Sequence, residues 1–148
     1  PVKFNGAFNN YGYYADSKTS NSSSWKTELV SASYKTWHDI EIGANYIYAH
    51  RTDDNWFASS WQVNVGIPLG QSDVNIGTAH VSQQGDRVTQ SYSLNYAYHL
   101  SRRTTLFADA IYYHNNQNGI VGVGVFANDD VQPGYSPWAM GVGIKHKF

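Results

Sequence analysis

The chain has 148 residues, no Cys, 10 Lys and Arg against 11 Asp and Glu, and a formal net charge of -1. That length holds one domain, residues 1–148, and the near-neutral charge excludes a strongly basic nucleic-acid binder. Without Cys there are no disulfides, zinc–thiolate sites or thiol nucleophiles. Charged residues make up 14% of the chain, against about 25% in ordinary globular proteins, while aromatics reach 16%. Such a composition fits a sheet that is polar on one face and apolar on the other.

Period-two alternation appears in nearly every segment between turn signals. In chain order the segments are Val2–Phe8, Val30–Tyr34, Ile40–His50, Phe57–Leu69, Val74–His80, Gln90–Leu100, Leu106–His114 and Trp138–Phe148. The clearest is Gln90–Leu100, where Tyr92, Leu94, Tyr96, Tyr98 and Leu100 alternate with Ser91, Ser93, Asn95, Ala97 and His99. In Phe57–Leu69, Trp61, Val63, Val65, Ile67 and Leu69 oppose Ser60, Gln62, Asn64 and Gly66. About eight antiparallel strands are predicted, an even number, as closed membrane barrels prefer. Residues 36–39, 69–72 and 100–103 read as tight turns, and 16–24, 52–55, 83–87 and 115–136 as longer polar links. That alternation of short turns and long loops matches a transmembrane β-barrel with both termini at the short-turn end.

The longest apolar stretch, Ile120–Ala127, is far short of the roughly 20 residues of a spanning helix. A closed barrel, with every backbone group paired, is then the way such a chain spans lipid. The polar face is mostly Ser, Asn, Gln, Gly and Ala with occasional Lys, and aromatics gather where the apolar stretches end. That distribution fits lipid outside and water inside better than a soluble sandwich, which would expose charge. Opening at Pro1, without Met, fits a chain whose targeting segment has been removed or which is trimmed.

Residues 96–108, Tyr-Ala-Tyr-His-Leu-Ser-Arg-Arg-Thr-Thr-Leu-Phe-Ala, resemble the penultimate hairpin of general porins of Gram-negative bacteria. The ending Gly141-Val142-Gly143-Ile144-Lys145-His146-Lys147-Phe148 is similar to the close of the same porins. The resemblance implies a 16-stranded trimeric barrel of the bacterial outer membrane, with a water-filled pore for passive diffusion of small hydrophilic solutes. It also implies contact with the lipid bilayer and lipopolysaccharide, and a terminal Phe148 read by the outer-membrane assembly machinery through strand pairing. This chain holds about half of that strand number, so it resembles the C-terminal half of a porin or a shortened relative. The constriction loop of the family comes from the other half.

With Ile144 and Phe148 toward lipid, the parity of each segment turns Lys3, Asn5, Lys35, Glu41, Asn45, Arg51, Gln62, Asn64, Asn75, Asn95, His99, Asp109, Lys145 and Lys147 inward. In this set Lys3, Lys35, Arg51, Lys145 and Lys147 outnumber Glu41 and Asp109, which predicts a weakly anion-preferring pore wall. An eight-stranded barrel has an interior filled by side chains. The small inner residues, among them Gly43, Ser60, Gly66, Gly77, Ser93, Gly141 and Gly143, suit a wall beside water instead. The competing reading is a small closed barrel without a pore, serving adhesion or anchoring.

No enzyme and no cofactor are expected. His50, Asp53 and Asp54 near the loop end are rim groups more readily than a catalytic set. The histidines lack metal-ligand spacing, and Asp129-Asp130 offers too few ligands for calcium. Ile120–Ala127 is expected to extend the last hairpin.

Overall fold

The computed structural model describes residues 2–12, 24–51, 56–122 and 131–148, with side chains from residue 26 onward. Eight strands form one antiparallel sheet: β1 (Val2–Gly12), β2 (Ser24–Lys35), β3 (Glu41–Arg51), β4 (Phe57–Leu69), β5 (Ser72–Gln83), β6 (Arg87–His99), β7 (Thr104–Asn115) and β8 (Trp138–His146). Each strand pairs with its neighbours in chain order, and among the described residues β1 and β8 do not meet. The sheet is therefore open, a stretch of barrel wall whose two outer strands carry unpaired edges.

Local chemistry sets the hairpins. Leu69 pairs with Ser72 across the two-residue turn Gly70-Gln71, where Gly70 takes φ 70°, a conformation a side chain would strain. At the β2–β3 turn Thr36 accepts at its hydroxyl from the Ile40 N–H (3.1 Å) and at its carbonyl from the Asp39 N–H (3.1 Å). Between β6 and β7 the Ser101 hydroxyl oxygen accepts from the Arg103 and Thr104 N–H groups at 3.2 and 3.1 Å. Such side-chain capping fixes a short turn and, through it, the register of the strands it joins.

Register carries parity across the whole sheet. One outward row runs Tyr34, Ile42, Val65, Ile76, Leu94, Ala110 and Met140. The next runs Ala32, Ala44, Val63, Thr78, Tyr92, Tyr112 and Trp138. Among the described residues no hydrophobic side chain is buried: Met140 is 73% exposed, Val142 86% and Leu94 49%. A water-soluble domain derives most of its stability from burying such groups. Here they remain on the surface, and the ladder of backbone hydrogen bonds holds the strands, as required where lipid covers one side.

Several strands start earlier than the alternating segments imply, while β8 stops at His146, short of the expected Phe148. β2 begins at Ser24 rather than Val30, and β5 at Ser72 rather than Val74. Backbone pairing continues past the apolar band, where outward positions turn polar and periodicity fades. The last hairpin differs in a second way. β7 stops at Asn115, and Ile120, Val121 and Gly122 lie outside any strand, so the expected extension of the hairpin through them is not found. Asn115 explains it. Its amide donates to the carbonyls of Val121 (2.8 Å) and Tyr135 (2.7 Å), tying both to the end of β7. Residues 123–127 of that segment lie outside the described residues.

Candidate pore wall

Opposite the apolar rows lies a polar face. Its central row aligns Lys35, Glu41, Gly66, Asn75, Asn95, Asp109 and Gly141 across seven strands. Asn75 Nδ2 donates to Asn95 Oδ1 at 3.2 Å, and Asn95 Nδ2 donates to Asp109 Oδ1 at 2.5 Å. At the other end Lys35 Nζ lies 3.7 Å from Glu41 and 3.1 Å from Asp39. Asn45 Nδ2 reaches Gln62 Oε1 at 3.4 Å two rows further toward the long loops. A hollow of about 570 Å³ opens over this face, lined by Gln62, Asn64, Asn75, Asn95, Asp109 and Gly141 among others.

The glycines of this face hold their neighbours' side chains. A β-carbon at residue 43 would sit 2.8 Å from Asn64 Oδ1, and one at 66 would sit 2.9 Å from Asn75 Oδ1. Asparagine amides thus lie along the wall instead of standing away from it. The small inner residues make a thin, hydrogen-bonding surface.

At the short-turn end His99 lies between two partners. Its Nε2 is 2.6 Å from Asp73 Oδ2 and its Nδ1 is 3.0 Å from Thr105 Oγ1. Lys145 pairs with Thr105 in register, and Lys147, just past β8, bonds through its N–H to the Arg103 carbonyl at 2.9 Å. At the loop end Thr89 and Asn115, 3% and 4% exposed, join through Thr89 Oγ1 and Asn115 Oδ1 at 2.5 Å.

The inward set is therefore placed as follows. Lys35, Glu41, Asn45, Arg51, Gln62, Asn64, Asn75, Asn95, His99, Asp109 and Lys145 share one face by register, and Lys147 lines the same hollow as Lys145. Lys3 and Asn5 pair with Ser33 and Ser31, and their side chains lie outside the described residues. His50 stands on the opposite face, while Asp53, Asp54, Asp129 and Asp130 lie outside the described residues. Sequence reasoning missed Asp73, Arg87, Thr89 and Asn115, all on the polar face. Asp73 falls just before the alternating segment that opens at Val74, although its odd number carries the parity of Asn75.

The apolar face bears aromatic rows at the edges of its band. Tyr92 and Tyr112 stack at 6.5 Å with an interplanar angle of 15°, and Trp138 follows beside Tyr112. Beyond them, toward the long loops, the same face becomes polar. His80 stacks on Trp61 at 5.7 Å and approaches Gln90 Oε1 at 3.2 Å, while Gln90 donates to Thr78 Oγ1 at 2.6 Å. An apolar band closed by Tyr and Trp and followed by polar groups is the profile of a membrane barrel's outer surface.

Comparison with known proteins agrees with this geometry. No curated protein matches the chain in sequence. Among solved structures, the fold is similar to an anion-selective porin from Comamonas acidovorans, with a TM-score of 0.76 at 24% identity. The likeness covers 86% of this chain and 40% of that one, so the chain spans well under half of that porin's length. The family model for Gram-negative porins matches residues 1–118. By that match over most of its length, the chain belongs to the Gram-negative porin family of the bacterial outer membrane.

Proposed function

We propose that this chain forms part of the wall of a water-filled channel through which small hydrophilic solutes and ions diffuse passively, with a weak preference for anions. The carrying observation is the pair of surfaces on one thin sheet. Leu94, Met140 and Val142 stand exposed on one side, and Asn75, Asn95 and Asp109 form a hydrogen-bonded row on the other. A polar row of that kind is costly in a dry interior and natural beside water.

The separate edges of β1 and β8 favour a wider ring over an eight-stranded closure filled by side chains. Further strands then complete the barrel, and a trimer of such barrels follows from the family resemblance. The charge balance supports anion preference. Lys35 is offset by Asp39 and Glu41, whereas Lys145 and Lys147 have no ion-pair partner among the described residues. The structurally similar porin is itself described as anion-selective. Pore-lining roles fall to Lys3, Lys35, Glu41, Asn45, Arg51, Gln62, Asn64, Asn75, Asn95, His99, Asp109, Lys145 and Lys147, and Phe148 serves as the assembly signal.

Reversal potentials of the purified protein in planar bilayers under a KCl gradient test this reading. Discrete conductance steps with a reversal potential on the chloride side support it. An absence of steps, or a clear cation preference, contradicts it.

A further inference from the structure

The anion preference proposed above is a property of the whole lumen. The short-turn end carries something more local. Arg102, Arg103, Lys145, Lys147 and His99 line a single hollow of about 580 Å³, with Thr105 beside them. Four of these groups are permanent cations, and among the described residues none of the four forms an ion pair. Asp73, on the same end of the face, is held by His99 at 2.6 Å. Asp109 belongs to the central row, two rows further along the wall, and is engaged by Asn95.

Convergence here is built by the fold. The Ser101-capped turn fixes the residues that carry both guanidinium groups, and the Lys147 N–H bond to the Arg103 carbonyl ties the end of β8 to that turn. Phe107 forms an apolar side of the hollow, its ring lying over Gly143. Like charges held together with no anion among them repel, so the arrangement gains most when an anion enters. Guanidinium forks suit oxyanions in particular, since they donate two parallel hydrogen bonds to phosphate or carboxylate oxygens.

We propose that this hollow is a saturable binding site for small multivalent oxyanions, positioned at the short-turn mouth of the channel. It rests on the channel reading for its place in permeation, but binding itself needs only the folded wall. A multivalent oxyanion held there by several cations slows the passage of chloride, whereas chloride, with one charge and no fixed shape, is held weakly.

Inorganic pyrophosphate is the probe, added to the intact protein in planar bilayers at low ionic strength, where exposed charges are least screened. Chloride conductance is expected to fall with pyrophosphate and to saturate. Arg103→Gln and Lys145→Gln are each expected to raise the half-blocking concentration roughly tenfold, the scale of one lost charge-assisted contact. Arg87→Gln removes a cation from the same face at the far end of β6 and is expected to change it less than about twofold, because it stands about 40 Å from the hollow at roughly 3.3 Å per strand residue, beyond the Debye length of about 30 Å at 0.01 M salt. Unsaturating block, or equal effects of Arg87→Gln and Lys145→Gln, overturns the proposal and leaves only a diffuse positive lumen. Calorimetric titration of pyrophosphate into the micellar protein tests the site apart from conduction. Heat that saturates and is lost in Lys145→Gln supports the site even without channel steps, and no binding heat overturns it.

Discussion

The ring of Phe107 lies over Gly143 on the neighbouring strand, occupying the space a β-carbon there would need. Both residues belong to the polar face, so an aromatic ring is accommodated on that wall only because its register partner has no side chain. Gly143→Val is expected to destabilise the folded protein by about 1–3 kcal/mol, the usual cost of overpacking. Phe107→Ala in the same chain should relieve most of that cost, because the two positions compete for one volume. Urea unfolding from lipid vesicles, followed by tryptophan fluorescence, measures both. Additive effects would separate the two residues.

The outward rows predict a contrast between adjacent residues of β6. Leu94→Arg puts a charge near the middle of the apolar band and is expected to cost about 2–4 kcal/mol in lipid. Asn95→Arg, one residue on, faces the polar hollow and is expected to cost under about 1 kcal/mol while making the lumen more positive. The same unfolding assay reads the stabilities, and reversal potentials read the charge.

Asn95 also links Asn75 to Asp109. Asn95→Asp sets a second carboxylate beside Asp109, and the reversal potential is expected to move toward cations. Asn95→Ser, which keeps a polar side chain without adding charge, should leave selectivity nearly unchanged. Equal shifts in both variants would mean that charge on this row does not reach the permeating ions.

At the loop end, Asn115 holds the carbonyls of Val121 and Tyr135 and joins buried Thr89. Asn115→Ala removes three contacts at once and leaves Thr89 without its side-chain partner. A loss of about 1–3 kcal/mol is expected, together with faster protease cleavage between residues 116 and 122 while the strands stay protected. Limited proteolysis followed by mass spectrometry checks it.

Most of the wall is legible from residue order. Once Ile144 is assigned to lipid, period two carries the assignment along β8, and tight turns such as Gly70-Gln71 pass it to the next strand without loss. That is why parity alone sets residues as distant as Glu41 and Asp109 on one face. What escaped depends on contacts between segments. The meeting of Thr89 and Asn115 spans 26 residues and has no periodic signature. Arg102 and Arg103 read as turn residues, and their convergence with Lys145 and Lys147 appears only when β7 brings the turn beside β8. Asp73 was lost for a simpler reason, since a strand recognised by its apolar residues begins too late at Val74.

Two sides of one strand meeting two different solvents can be examined at neighbouring positions. Nitroxide labels at residues 94 and 95 of the intact protein in lipid vesicles should differ in kind. The label at 94 is expected to be relaxed by oxygen dissolved in hydrocarbon, and the label at 95 by a water-soluble nickel chelate. Equal access of the chelate to both labels, or the reverse order, would contradict the assignment of hydrocarbon to the Leu94 side and water to the Asn95 side.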